Sequence, residues 1–114
     1  MLNTPLSLRW KRAKALAKNG AIQRISRKER TWSALAYGSR DKPYNTQVCM
    51  SKWGNFLTGS CTCPDYVGMF AYVYHHHPFC SYAGVPQYNG RLVCKHMLAL
   101  SLKAYLEIEA EILQ

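Results

Sequence analysis

Cys61-Thr62-Cys63 and Cys94-Lys95-His96 are two pairs of metal-ligand residues, each interrupted by one residue, with 30 residues between the pairs. Three thiolates and an imidazole complete a tetrahedral shell for Zn2+, the ion that Cys3His sites usually hold. The one-residue spacing is itself informative. In an extended segment residues i and i+2 point to the same side, so Cys61 and Cys63 can offer both sulfurs to one ion. On a helix that spacing would turn them about 200° apart.

The elements that must position these pairs follow from that geometry. The first pair belongs on the end of a strand. The second pair must straddle a helix start, because Met97 to Leu113 reads as helical, with Cys94 in the preceding turn and His96 in or near the first turn. Three thiolates around Zn2+ leave a net negative site, which the partial positive charge of a helix N-terminus favours. Lys95 adds a full positive charge. With four protein ligands the ion keeps no open position for water, so one structural zinc is expected, with folding coupled to its binding.

Three strands with short turns between them lead to the first pair: Thr31 to Tyr37, Tyr44 to Ser51 and Phe56 to Cys63. They predict an antiparallel meander. Ala21 to Ile25 reads equally as a short strand or as a turn into the basic cluster Arg24, Arg27, Lys28 and Arg30. A first helix opens at Thr4-Pro5 and closes at Asn19-Gly20, with Leu6, Trp10, Ala13 and Ala17 as its apolar stripe. Lys11, Lys14 and Lys18 lie on one flank of it, Arg9 and Arg12 on the other. The last helix carries Leu98, Ser101, Tyr105, Ile108 and Ile112 at helical spacing, broadened by Leu102, Leu106 and Leu113, and should pack on the sheet. Glu107, Glu109 and Glu111 crowd its C-terminal end, the unfavourable end for anions. The expected fold is therefore α+β: a basic helix over residues 1–20, a three-stranded antiparallel sheet over 21–63, an aromatic insert over 64–93 and a C-terminal helix over 94–114, one domain around the zinc site.

At 114 residues and 48% hydrophobic composition the chain suits one globular domain, small enough for a structural metal to matter. No stretch has the roughly 18 apolar residues of a membrane helix, and the N-terminus shows no signal-peptide core, so an intracellular protein is expected, in cytoplasm or nucleoid rather than secreted. Five cysteines suit three ligands and two spare thiols, although a Cys49–Cys80 bridge fits the same count.

The net charge of +9 is segregated. Residues 1–52 hold twelve Lys or Arg against Glu29 and Asp41, while residues 53–114 hold three against four acids. So basic a half points to a polyanion, nucleic acid above all, through Arg9, Lys11, Arg12, Lys14, Lys18, Arg24, Arg27, Lys28 and Arg30. Neither a small-molecule substrate nor a membrane is indicated.

The insert carries seven aromatics, with Asp65 placed to cap a short helix bearing Tyr66, Phe70 and Val73. Its tyrosines suit a satellite core over the metal, or, where exposed, stacking on single-stranded bases. His75, His76 and His77 with Cys80 form a weaker, auxiliary metal candidate. Catalysis is not expected: the His-x-Glu with Pro-Cys-x-x-Cys of zinc deaminases and the His-Glu-x-x-His of zinc proteases are both absent.

Cys-Thr-Cys-Pro-Asp at 61–65 and Cys-Lys-His-Met-Leu-Ala-Leu at 94–100, behind a strand meander, resemble the SWIM zinc finger over roughly Ala13 to Leu106. The resemblance implies Cys61, Cys63, Cys94 and His96 as zinc ligands and DNA binding or protein binding as the role. It departs from the usual pattern in its long insert. A DNA-binding protein is the expectation, with an interaction adaptor for a DNA-processing partner as the alternative.

Overall fold

In the computed structural model, residues 6–38, 42–68, 87–88 and 91–113 are described. Helix α1 (Leu6–Lys18) leads into strands β1 (Ile22–Lys28), β2 (Thr31–Ala36), β3 (Tyr44–Met50) and β4 (Phe56–Cys61). Residues 64–68 are helical (α2), β5 (Gln87–Tyr88) and β6 (Arg91–Leu92) form a short ladder, and α3 (Lys95–Ile112) completes the fold. Thr4 and Pro5, the expected start of α1, lie outside the described residues. Its end is as expected: Gly20 takes φ 79° and the Ala21 N–H closes onto the Leu16 carbonyl at 3.2 Å, the six-to-one bond of a glycine-terminated helix.

The fold is α+β with four antiparallel strands in the order β1-β2-β3-β4, one more than the three expected. The extra strand is β1, which absorbs Arg24, Arg27 and Lys28. Its pattern hid it: only Ile22 of its seven residues is buried, so no alternation marks it. It is an edge strand, and its cations discourage further pairing there. Arg24 and Ile25 together oppose Ala34, a bulge in which Arg24 takes φ 52°.

The core lies on one face of the sheet. Trp32, Ala34 and Ala36 of β2 and Thr46, Val48 and Met50 of β3 alternate inward beneath α3, with Phe56 and Cys61 of β4. Helix α1 packs on α3 rather than on the sheet. The outward face carries Ser26, Lys28, Thr31, Ser33, Gln47 and Ser60, polar as alternation requires.

Helix α3 corrects the expected stripe. From His96 to Ser101 every residue is buried, whereas further on only Ala104 and Ile108 are. Tyr105, Leu106, Ile112 and Leu113 are exposed. The first turns are enclosed by sheet, α1 and metal site together; beyond them the helix keeps only one covered edge.

Glu107 and Glu111 of α3 contact β1 and β2. Arg27 is bonded to Glu111 and to Glu107, the latter at 2.8 Å, and lies 4.4 Å over the Trp32 ring. The Trp32 indole N–H donates to Glu107 at 3.0 Å. That indole bond and Arg27 hold the Glu107 carboxyl below its usual range. A cation thus offsets the unfavourable end of the helix dipole.

The turn after β3 is tightly bonded. The Ser51 N–H donates to the Asn55 carbonyl at 2.8 Å, and the Ser51 hydroxyl accepts the N–H groups of Trp53 and Asn55 at 3.3 and 3.0 Å. Gly54 takes φ 89°, and a Cβ there would fall 2.7 Å from the Tyr105 ring. Gly54→Ala is expected to cost about 1–2 kcal/mol from the left-handed backbone and the displaced ring; urea midpoints of the two chains check it.

Candidate metal centre

The first ligand pair sits where a strand runs out. Cys61 closes β4, and Thr62 prolongs the ladder: its N–H donates to the Asn45 carbonyl, and its hydroxyl accepts the Asn45 N–H, both at 3.0 Å. The segment therefore stays extended, with Thr62 exposed and Cys61 and Cys63 both buried. Cys63 then caps α2. Its sulfur accepts the Tyr66 N–H at 3.4 Å, its carbonyl accepts the Val67 N–H, and Pro64 occupies the first helical position, where a missing N–H costs nothing. Asp65, the cap expected from the sequence, sits instead inside the first turn, where a carboxylate still meets the favourable end of the dipole.

The second pair straddles the start of α3 as its spacing requires. Cys94 is the N-cap, with extended backbone (φ −107°, ψ 171°), and His96 falls in the first turn. The capping sulfur accepts no backbone N–H of the helix, so it is available to an ion.

Together these elements bring Cys61, Cys63, Cys94 and His96 into one buried group whose ligand atoms all lie within 4.8 Å of one another. His96 turns Nδ1 to the sulfurs, 3.7 Å from Cys61 and 3.9 Å from Cys94. Its Nε2 is buried without a hydrogen-bond partner among the described residues, as is the hydroxyl of Thr46, which stands opposite Cys61 across the ladder. Tyr44 walls the imidazole, ring centroids 5.3 Å apart.

The thiols compete for charge. Bonds from Cys61 and Cys94 push the Cys63 thiol far down, Cys61 is pushed up to about 11 chiefly by Cys63, and burial pushes Cys94 well up. A divalent cation beside the sulfurs favours the thiolate form of all three. The donor set, the separations and the burial fit one metal ion.

Helix α1 is tied to this centre by a cation. Arg9, 2% exposed, forms a two-pronged pair with Asp65, two residues beyond Cys63; the Nη2 to Oδ1 arm measures 3.3 Å. Arg9 is thus a buried structural cation, not a member of the solvent flank where the helical wheel put it. Lys11, Arg12, Lys14 and Lys18 are exposed on α1, as are Arg24, Lys28 and Arg30 at or beside β1. Arg27 is committed to α3. Pairing of Arg9 with Asp65 had no sequence signal, because 56 residues separate them.

Cys49 carries a free thiol, and Cys80, the other half of the bridge its count allowed, lies outside the described residues. His75, His76, His77 and Cys80 lie outside the described residues, as do all the insert's aromatics except Tyr66 and the backbone of Tyr88. Tyr66 packs against the core and donates to the Gly59 carbonyl at 3.4 Å. No helix among the described residues is long and apolar enough to cross a membrane. The chain matches no family model, no curated protein and no solved structure.

Proposed function

We propose that the chain is a zinc-stabilised, DNA-binding protein of SWIM type, in which one Zn2+ held by Cys61, Cys63, Cys94 and His96 has a structural role and catalysis has none. A tetrahedron with zinc's bond lengths has S–N edges of about 3.5–3.6 Å, a few tenths of an ångström shorter than the 3.7 and 3.9 Å separations. Bound there, the ion offsets most of the thiolate charge and fastens the end of β4 to the start of α3.

The observation that carries the DNA reading is how the charge is divided. Of the five described acids, Asp65, Glu107 and Glu111 are engaged with Arg9 and Arg27. Lys11, Arg12, Lys14, Lys18, Arg24, Lys28 and Arg30 remain exposed, and none is among the described ion pairs. Folding thus consumes acids and leaves cations outward, the arrangement that releases counterions from phosphates. The adaptor reading draws on a different feature, the exposed Leu106, Ile112 and Leu113 on α3.

Fluorescence anisotropy with labelled DNA separates the two. A log–log salt slope of about −3 or steeper is expected, with Lys14→Glu/Lys18→Glu making it shallower by about one for each phosphate no longer neutralised. At about 50 mM salt counterion release still favours binding strongly. Absence of binding to single- and double-stranded DNA under that condition would remove the DNA reading and leave the adaptor.

A further inference from the structure

The end of the sheet away from the metal carries a second group of side chains that the fold does not use. The β1–β2 turn at Glu29 and Arg30 and the β3–β4 turn at Ser51 to Asn55 both lie there, since the strands alternate in direction and the Met50 N–H donates to the Arg30 carbonyl at 2.9 Å. Two strand spacings, about 10 Å, separate the hairpins. Lys28 ends β1 beside the first turn, Arg30 stands on that turn and Lys52 on the second, with the acid Glu29 between Lys28 and Arg30.

Trp53 stands at the tip of the second turn, 64% exposed, with the Lys52 ammonium 5.2 Å from its ring centroid. The chain's other tryptophans serve the interior: Trp32 is fully buried, and Trp10 packs against the core. Trp53 instead projects from a turn fixed by four hydrogen bonds around Ser51 and backed by Tyr105 against Gly54. A rigid mount for an exposed indole removes the ordering cost that a mobile loop would incur on binding.

We propose that this end of the sheet takes an unpaired base of a DNA strand, stacked on the Trp53 indole, while Lys52, Arg30 and Lys28 receive the flanking phosphates. The proposal rests on the DNA reading and narrows it to single-stranded segments. Duplex DNA offers the same phosphates but keeps its base faces stacked internally. An indole accepts any base, so the contact has no sequence preference.

The test is anisotropy titration of labelled dT15, and of a matched duplex, with the full zinc-loaded chain and its Trp53→Ala and Trp53→Phe variants, whose melting should match the parent because the side chain is exposed. Trp53→Ala should weaken dT15 binding about 10-fold, within the range for removal of one stacking partner, and leave duplex binding within about two-fold; Trp53→Phe should retain most of the affinity. Tryptophan fluorescence of the parent should be quenched by dT15, and that quenching should vanish in Trp53→Phe. Parent-like dT15 affinity in Trp53→Ala, with the parent binding well, would overturn this proposal alone. A parent that binds neither DNA would overturn the DNA reading and this proposal with it.

Discussion

A Cys94→Ser chain should fail to retain its metal and should lose its cooperative unfolding transition. Cys94 is fully buried at the start of α3, and burial raises its thiol, so the thiolate persists there only with a cation beside it. Serine leaves three ligands and an alcohol that stays protonated. Structural zinc contributes apparent binding energies of about 10–16 kcal/mol, against total domain stabilities of about 5–15 kcal/mol, so in the proposed zinc-stabilised chain the metal decides whether the fold persists. Chelation of the parent should act similarly. Acid should too, because protons compete with the ion for the sulfurs, so stability falls as pH falls. Circular dichroism melts read the outcome. A Cys94→Ser chain melting within a few degrees of the parent would show that the packing of α3 on the sheet suffices without the ion.

The second large effect is expected at Asp65. Removing one partner of a buried ion pair typically costs about 3–5 kcal/mol, because the remaining charge keeps its desolvation penalty. Arg9 is 3% exposed at its side chain and Asp65 18%, so Asp65→Ala should fall near the lower end, about 3 kcal/mol. Replacing both with apolar residues, Arg9→Met with Asp65→Leu, should recover much of the loss, since the buried guanidinium is then removed along with its carboxylate. Denaturant midpoints of the single and double variants measure the difference. If the double variant is as unstable as Asp65→Ala, shape rather than charge pairing governs the contact.

Much of the site was legible because ligand spacing is a local property. Cys61 and Cys63 sit on extended chain and Cys94 and His96 at a helix start, as one-residue spacing demands, and β2, β3 and β4 followed from turns and alternation. What was not legible depended on distant partners. Strand β1 shows no alternation because one face is solvent and the other carries Arg27, whose acids lie about 80 residues away. The helical wheel gave α1 a cationic flank that included Arg9, yet a wheel does not show that Asp65 waits on the other side. Similarly, the period of α3 was right for Leu98, Ser101 and Ile108 but not for Tyr105 and Ile112, because the cover over a helix ends where its neighbours end.

In the proposed function, two short ligand pairs build one metal centre that joins sheet to helix. Native mass spectrometry of the intact chain, beside a chain with His75, His76 and His77 all changed to alanine, tests it most directly. One zinc per chain in both is predicted, displaced only when Cys61, Cys63, Cys94 or His96 is changed. Loss of zinc from the triple-histidine variant, or a natively folded chain that carries no metal, would contradict it.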